Sequence, residues 1–127
     1  MEGCKMSNIP SDEEFERASK KMEKEAHGLD QVCRNAKIHF RNKCPLVNIY
    51  LLPQGDVNFR AYIFFEKNKD IETCKNNGIT QEITDFIYQN LERVGRGNKC
   101  NITVAFEFDS DENVKQNYEG NYYLRLL

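Results

Sequence analysis

The stretch from Val47 to Glu66 limits the fold more than any other part of the chain, because it spells out a β-hairpin. Val47 to Leu52 is a β-branched and aliphatic run, and Val57 to Glu66 alternates with a period of two. Val57, Phe59, Ala61, Ile63 and Phe65 fall on one face, while Asn58, Arg60, Tyr62, Phe64 and Glu66 fall on the other. Between the runs, Pro53-Gln54-Gly55-Asp56 supplies a fixed φ and a permissive glycine, which is turn chemistry. A hairpin over 46–66 with one strongly apolar face needs a cover, so the flanking segments are read for helices.

A helix is expected over 11–43. Ser11 caps it, Glu14 completes a capping box, and Asp12, Glu13 and Glu14 complement the N-terminal end of the dipole. Phe15, Ala18, Met22, Ala26, Leu29, Cys33, Ala36 and Phe40 then recur at steps of three and four. Gly28 is costly in a helix interior, by roughly 1 kcal/mol, and marks a place for a kink or break. Arg41, Lys43 and the Cys44-Pro45 step stop the helix. A second helix is expected over 80–94, with Ile83, Phe86, Ile87, Leu91 and Val94 on one face and Gly95-Arg96-Gly97 as its end. The polar stretch from Lys67 to Gly78 reads as a loop, long enough to hold a turn of helix.

Two further strands complete the reading. Ile102, Val104, Phe106 and Phe108 alternate with polar residues over 101–109, and a last strand is expected over 121–126 after a polar connection. The order helix, strand, strand, helix, strand, strand predicts one α+β domain over 1–127. Its architecture is a four-stranded antiparallel sheet, with the long N-terminal helix and the second helix, lying between the two hairpins, packed on one face.

Composition narrows the function. Eight Phe and six Tyr in 127 residues supply a core for one domain. Eighteen Lys and Arg against twenty Asp and Glu leave a net charge of -2, which disfavours direct nucleic-acid binding or a polybasic membrane anchor. No apolar run approaches the roughly 20 residues of a membrane span, and the first residues carry no signal-peptide core, so a cytoplasmic location is expected. Cys4, Cys33, Cys44, Cys74 and Cys100 are odd in number and widely spaced, which favours free thiols.

Catalytic chemistry is hard to find in the chain. His27 and His39 lie about three helical turns apart, roughly 18 Å, too far to share a metal on an unbroken helix. His39 and Cys44 could meet locally, but two ligands do not make a site. Gly95-Arg96-Gly97-Asn98-Lys99 follows a helix instead of opening one, so it is a helix end and no phosphate cradle. The expectation is a non-enzyme with no catalytic residue, metal or cofactor.

What stands out is the acidic, tyrosine-rich ending. Glu107, Asp109, Asp111, Glu112 and Glu119 cluster there, opposed locally by Lys115, with Tyr118, Tyr122 and Tyr123 beside them. One reading is a solvated hairpin tip with tyrosines at the sheet edge. The other is a partner-binding surface formed by Glu107, Asp109, Asp111, Glu112, Tyr118, Glu119 and Tyr122, negative enough to attract a basic protein. As loop carboxylates, Asp109, Asp111 and Glu112 are expected to matter little to stability.

The segment from Phe106-Glu107-Phe108-Asp109-Ser110-Asp111-Glu112-Asn113-Val114 through Asn117-Tyr118-Glu119-Gly120-Asn121-Tyr122-Tyr123-Leu124-Arg125-Leu126 resembles small bacterial immunity proteins encoded beside polymorphic toxins, including those of contact-dependent growth inhibition systems. The strand and helix order from Pro45 onward is similar to theirs, while the first helix falls outside the likeness. The resemblance implies an antitoxin that binds the C-terminal domain of a cognate toxin, often a nuclease, by stoichiometric protein–protein binding. An alternative reading is a chaperone or adaptor for a secreted effector, holding its partner with the first helix.

Overall fold

A computed structural model describes Arg17 and residues 25–127. The first part of the expected first helix, including Ser11, Glu14, Phe15, Ala18 and Met22, and also Cys4, lies outside the described residues. The described chain runs α1 (Leu29–Phe40), β1 (Leu46–Pro53), β2 (Phe59–Phe65), α2 (Asn68–Asn76), α3 (Ile79–Arg93), β3 (Val104–Ser110), α4 (Asp111–Asn117) and α5 (Tyr122–Leu126).

The hairpin forms as its alternation dictates, with Ile49 opposite Ile63 and Tyr50 opposite Tyr62. The four-stranded antiparallel sheet does not. The sheet has three strands in the order β1-β2-β3, and β3 runs parallel to β2, from Phe59 against Val104 to Phe65 against Ser110. A parallel neighbour needs a crossover that carries the chain back along the sheet. Here α2 and α3 do so, and the buried Arg96 shows where they arrive. Its guanidinium donates to the carbonyls of Asp56, Val57 and His27 and stacks 5.3 Å from the Phe59 ring, at the hairpin-turn end of β2. The Thr103 N–H then donates to Asn58 Oδ1 at 2.8 Å, so β3 starts beside the start of β2.

Helix ends follow local chemistry. Gly28 adopts a φ of 74° immediately before α1, the break its position allows. Gly95, at a φ of 78°, closes α3 in a Schellman arrangement: its N–H donates to Glu92 O and the Arg96 N–H to Leu91 O. Within the stretch read as a loop, the Lys67 N–H donates to Asp70 Oδ2 and opens the nine-residue α2.

One face of the sheet carries the main core. Leu29, Val32, Ala36 and Phe40 of α1 and Ile83, Ile87 and Leu91 of α3 meet Ile49, Phe59, Ala61, Ile63 and Phe65. The opposite face is covered too, which corrects the one-sided arrangement. Tyr62 and Phe64 pack with Val114 of α4 and with Tyr118, Tyr122 and Leu126. That cover comes from the segment expected to be a coil and a fourth strand. Ser110 caps α4 by accepting from the Asn113 N–H, and Asn121 caps α5 by accepting from the Leu124 N–H.

Candidate functional site

The acidic ending is built around one cation. Arg125, on the inner side of α5, donates from Nε to Asp109 Oδ2 at 2.5 Å and lies 3.3 Å from Glu107 Oε1. Its guanidinium also rests over Tyr62, Phe64 and Tyr118 at 5.5 to 5.9 Å from the ring centroids. Burial works against its charge, but the Asp109 and Glu107 carboxylates outweigh that and hold it above the ordinary arginine range. Asp109 is buried and also accepts from the Ser110 N–H and from Asn113 Nδ2.

The neighbouring carboxylates are engaged in the same way. Asp111 accepts a 2.5 Å hydrogen bond from the Tyr122 hydroxyl and pairs with Lys115 at 2.9 Å. These two partners hold its carboxyl below the usual range, Tyr122 contributing most. Burial, reinforced by Asp111, pushes the Tyr122 phenol well above its usual range. Glu112 accepts from the Asn68 N–H at 2.8 Å, tying the start of α4 to the start of α2, where Ser110 Oγ also donates to Asn68 Oδ1. Tyr118 is half-buried against the second-face core, and Glu119 is exposed in a turn at a φ of 54°.

Of the seven residues singled out as partner-binding, Glu107, Asp109, Asp111 and Glu112 therefore have intramolecular partners, and Tyr118 and Tyr122 pack inward. They form the stitching of the second layer. Glu107, with a side chain 53 % exposed, and Glu119 still face solvent. Residues outside those seven stand out instead on the outer side of α5 and just past it: Tyr123 is 73 % exposed, Leu124 41 % and Leu127 83 %. The signal was present, since Tyr122, Arg125 and Leu126 sit at helical spacing with Tyr123, Leu124 and Leu127 on the complementary side.

The histidines and thiols sit elsewhere. His27 Nε2 hydrogen-bonds to Val94 O at 3.0 Å, and His39 stacks on Phe86 at 4.5 Å. Cys33, Cys44, Cys74 and Cys100 are free thiols. Cys44 is pushed up to about 11 by burial, and burial raises Cys33 and Cys74 as well, so none of these three is poised as a thiolate. A groove of about 420 Å³ runs between α1 and β1, lined by Leu29, Cys33, Ile49 and Leu51 among others. Among the described residues no group of three or more His, Cys, Asp or Glu could hold a metal ion, and no helix is long and apolar enough to cross a membrane.

No family model, no curated protein and no solved structure matches the chain.

Proposed function

We propose that this chain is a binding protein that neutralises a cognate toxin domain, a nuclease in the first instance, by one-to-one association in the cytoplasm. The supporting observation is the construction of α5. Its inner side is fixed by the Arg125 ion pairs, the Tyr122 hydrogen bond to Asp111 and ring contacts of Tyr122 with Phe64 and Tyr50. Its outer side offers Tyr123, Leu124 and Leu127 to solvent. Tyr123 and Leu124, held on an anchored helix, lose little freedom on binding, and Leu127 follows directly after it, which favours a protein–protein contact. Glu107 and Glu119 place negative charge beside it, suited to the rim of a basic partner. The sequence resemblance of the same segment to immunity proteins supplies the class of partner.

The test is co-expression with the C-terminal domain of the toxin encoded beside the gene. Protection of the cells and a stable complex on size exclusion are expected. Intact toxicity with no complex would end the reading.

A further inference from the structure

The two edges of the sheet are treated differently. On β1 the antiparallel ladder turns the Ile49 backbone outward, and both its groups are occupied: the N–H by the Asn48 side chain and the carbonyl by the Cys33 thiol. A register shift near Leu46 and Asn48, and Pro53 at the end, blunt the rest. β3 has no proline, lysine or register shift over its seven residues.

The parity of the ladder says which β3 groups face outward. The even residues of β2 serve β1, as shown at its ends by the Gln54 N–H to Asn58 O and the Glu66 N–H to Pro45 O. Its odd residues therefore bond β3, and since Ala61 lies opposite Phe106, it bonds Ala105 and Glu107. The main-chain groups of Val104, Phe106, Phe108 and Ser110 therefore point away from β2. The Val104 N–H reaches Tyr88 Oη at 3.4 Å and the Ser110 N–H reaches Asp109 Oδ1 at 2.8 Å. The outward groups of Phe106 and Phe108 are given no such cover among the described residues.

We propose that β3 pairs antiparallel with β3 of a second copy of this chain, about a two-fold axis through the Phe106 pair, to make one continuous sheet. In this register each Phe106 exchanges both main-chain bonds with its counterpart, and each Phe108 N–H donates to Val104 O across the axis. The side chains agree with that choice. Val104, Phe106 and Phe108 form an apolar row, Phe106 and Phe108 stacking at 6.4 Å, and the two-fold sets Val104 against Phe108. On the other face the small Ala105 lies beside Arg60 in the register, within a depression of about 300 Å³ that Arg60, Tyr62, Ala105, Phe106 and Glu107 line. The two-fold brings Glu107 of the second copy, which lies 3.3 Å from its own Arg125, opposite Ala105, and Arg60, which donates to Tyr62 Oη at 3.0 Å, would turn across the short side chain to meet it, twice over. Centring the axis on Glu107 would oppose it to itself, and centring on Phe108 would oppose it to Asp109, so charge disfavours both; centring on Ala105 or Val104 would carry Phe108 past the start of β3, which leaves the Phe106 register.

The inference shares only Glu107 with the toxin reading, and its test needs no toxin. Sedimentation across a concentration series should show a dimer. Arg60→Glu should weaken self-association about tenfold by setting like charges opposite each other, and Arg60→Glu with Glu107→Arg should recover it. In a Cys100→Ser background, Phe106→Cys should form a disulfide-linked dimer on mild oxidation, because residues opposed in a hydrogen-bonded pair lie about 5.5 Å apart. Ala105→Cys, not opposite itself, should remain monomeric on a non-reducing gel. A wild-type chain that stays monomeric throughout overturns the proposal. So does a dimer that ignores both the Arg60 and the double substitution, or one that cross-links equally through Ala105.

Discussion

Gly28→Ala is expected to be among the most damaging single-methyl changes in the described chain. At a φ of 74° the residue sits where an added Cβ meets the following carbonyl, at a cost of about 1–2 kcal/mol. Space is also denied. A Cβ there would lie 2.4 Å from Val94 Cγ2 and 3.0 Å from Val94 Cβ. Valine is stiff at χ1, and its Cβ is fixed to the end of α3, so rotation relieves only part of the overlap. Overpacking of this kind costs about 1–3 kcal/mol. The sum, about 2–5 kcal/mol, is a large share of the stability of a small domain. With an m-value of about 1.5 kcal/mol/M, the urea midpoint should fall by about 1–3 M.

A double-mutant cycle separates the two causes. Val94→Ala alone should cost about 1 kcal/mol. In that background Gly28→Ala should lose the 2.4 Å overlap with Cγ2 and keep its backbone penalty of about 1–2 kcal/mol and the 3.0 Å approach to the remaining Cβ, so part of the original loss returns. An equal cost in both backgrounds would refute the close approach of Gly28 to Val94. A cost under about 1 kcal/mol in the wild-type chain would refute the left-handed turn as well.

The same contacts give further expectations. Asp109→Asn should cost about 2–4 kcal/mol in urea unfolding by leaving Arg125 with a weaker buried partner, whereas Glu119→Gln should leave the midpoint unchanged. Arg96→Met should cost about 2–3 kcal/mol, because the carbonyls of Asp56, Val57 and His27 lose a buried donor. Asp111 has a folded pKa below its unfolded one, so its stabilising contribution is present above the ordinary Asp value of about 3.9 and is lost as pH falls further; Tyr122→Phe should flatten that part of a stability-against-pH curve. Tyr123→Ala with Leu127→Ala should leave the thermal midpoint in place while weakening the complex with the toxin domain, measured by calorimetry.

The hairpin, the helix bearing Ile83, Ile87 and Leu91, and the break at Gly28 were legible because each depends on local periodicity or on one permissive residue. The parallel partner of β2 was not. Nothing inside Val104–Ser110 states its direction, which is set by where Arg96 docks after α3. The final segment misled for a different reason. Tyr122 to Leu126 is rich in aromatic and aliphatic residues, and over so short a span both periods fit. The deciding signals were small: Asn121 as a cap for α5, and Ser110 followed by Asp111 and Glu112 as the opening of α4. The acidic cluster itself was plain in the sequence. Its partners were not, because Arg125 lies sixteen positions from Asp109 and reaches it only once α4 and α5 have turned back over the sheet.

Those partners answer a question that β2 poses on its own. The face of β2 opposite the main core carries Tyr62 and Phe64, both buried. A strand whose two faces are both apolar lies inside a layered fold and not at its surface, and the parallel pairing with β3 requires cover on both sides. With α1 and α3 committed to one face, the cover for the other comes, among the described residues, from the chain beyond β3, which is α4 and α5. Covering Tyr62 and Phe64 with a short helix leaves little apolar area to hold it, so the carboxylates at Glu107, Asp109 and Asp111 and the cation at Arg125 fix it by charge and hydrogen bonding. A cluster that reads as a surface for a partner is thereby consumed within the fold. Under the proposed function, recognition falls to the side of α5 that the stitching leaves outward, where Tyr123 and Leu124 are exposed, with Leu127 just past the helix.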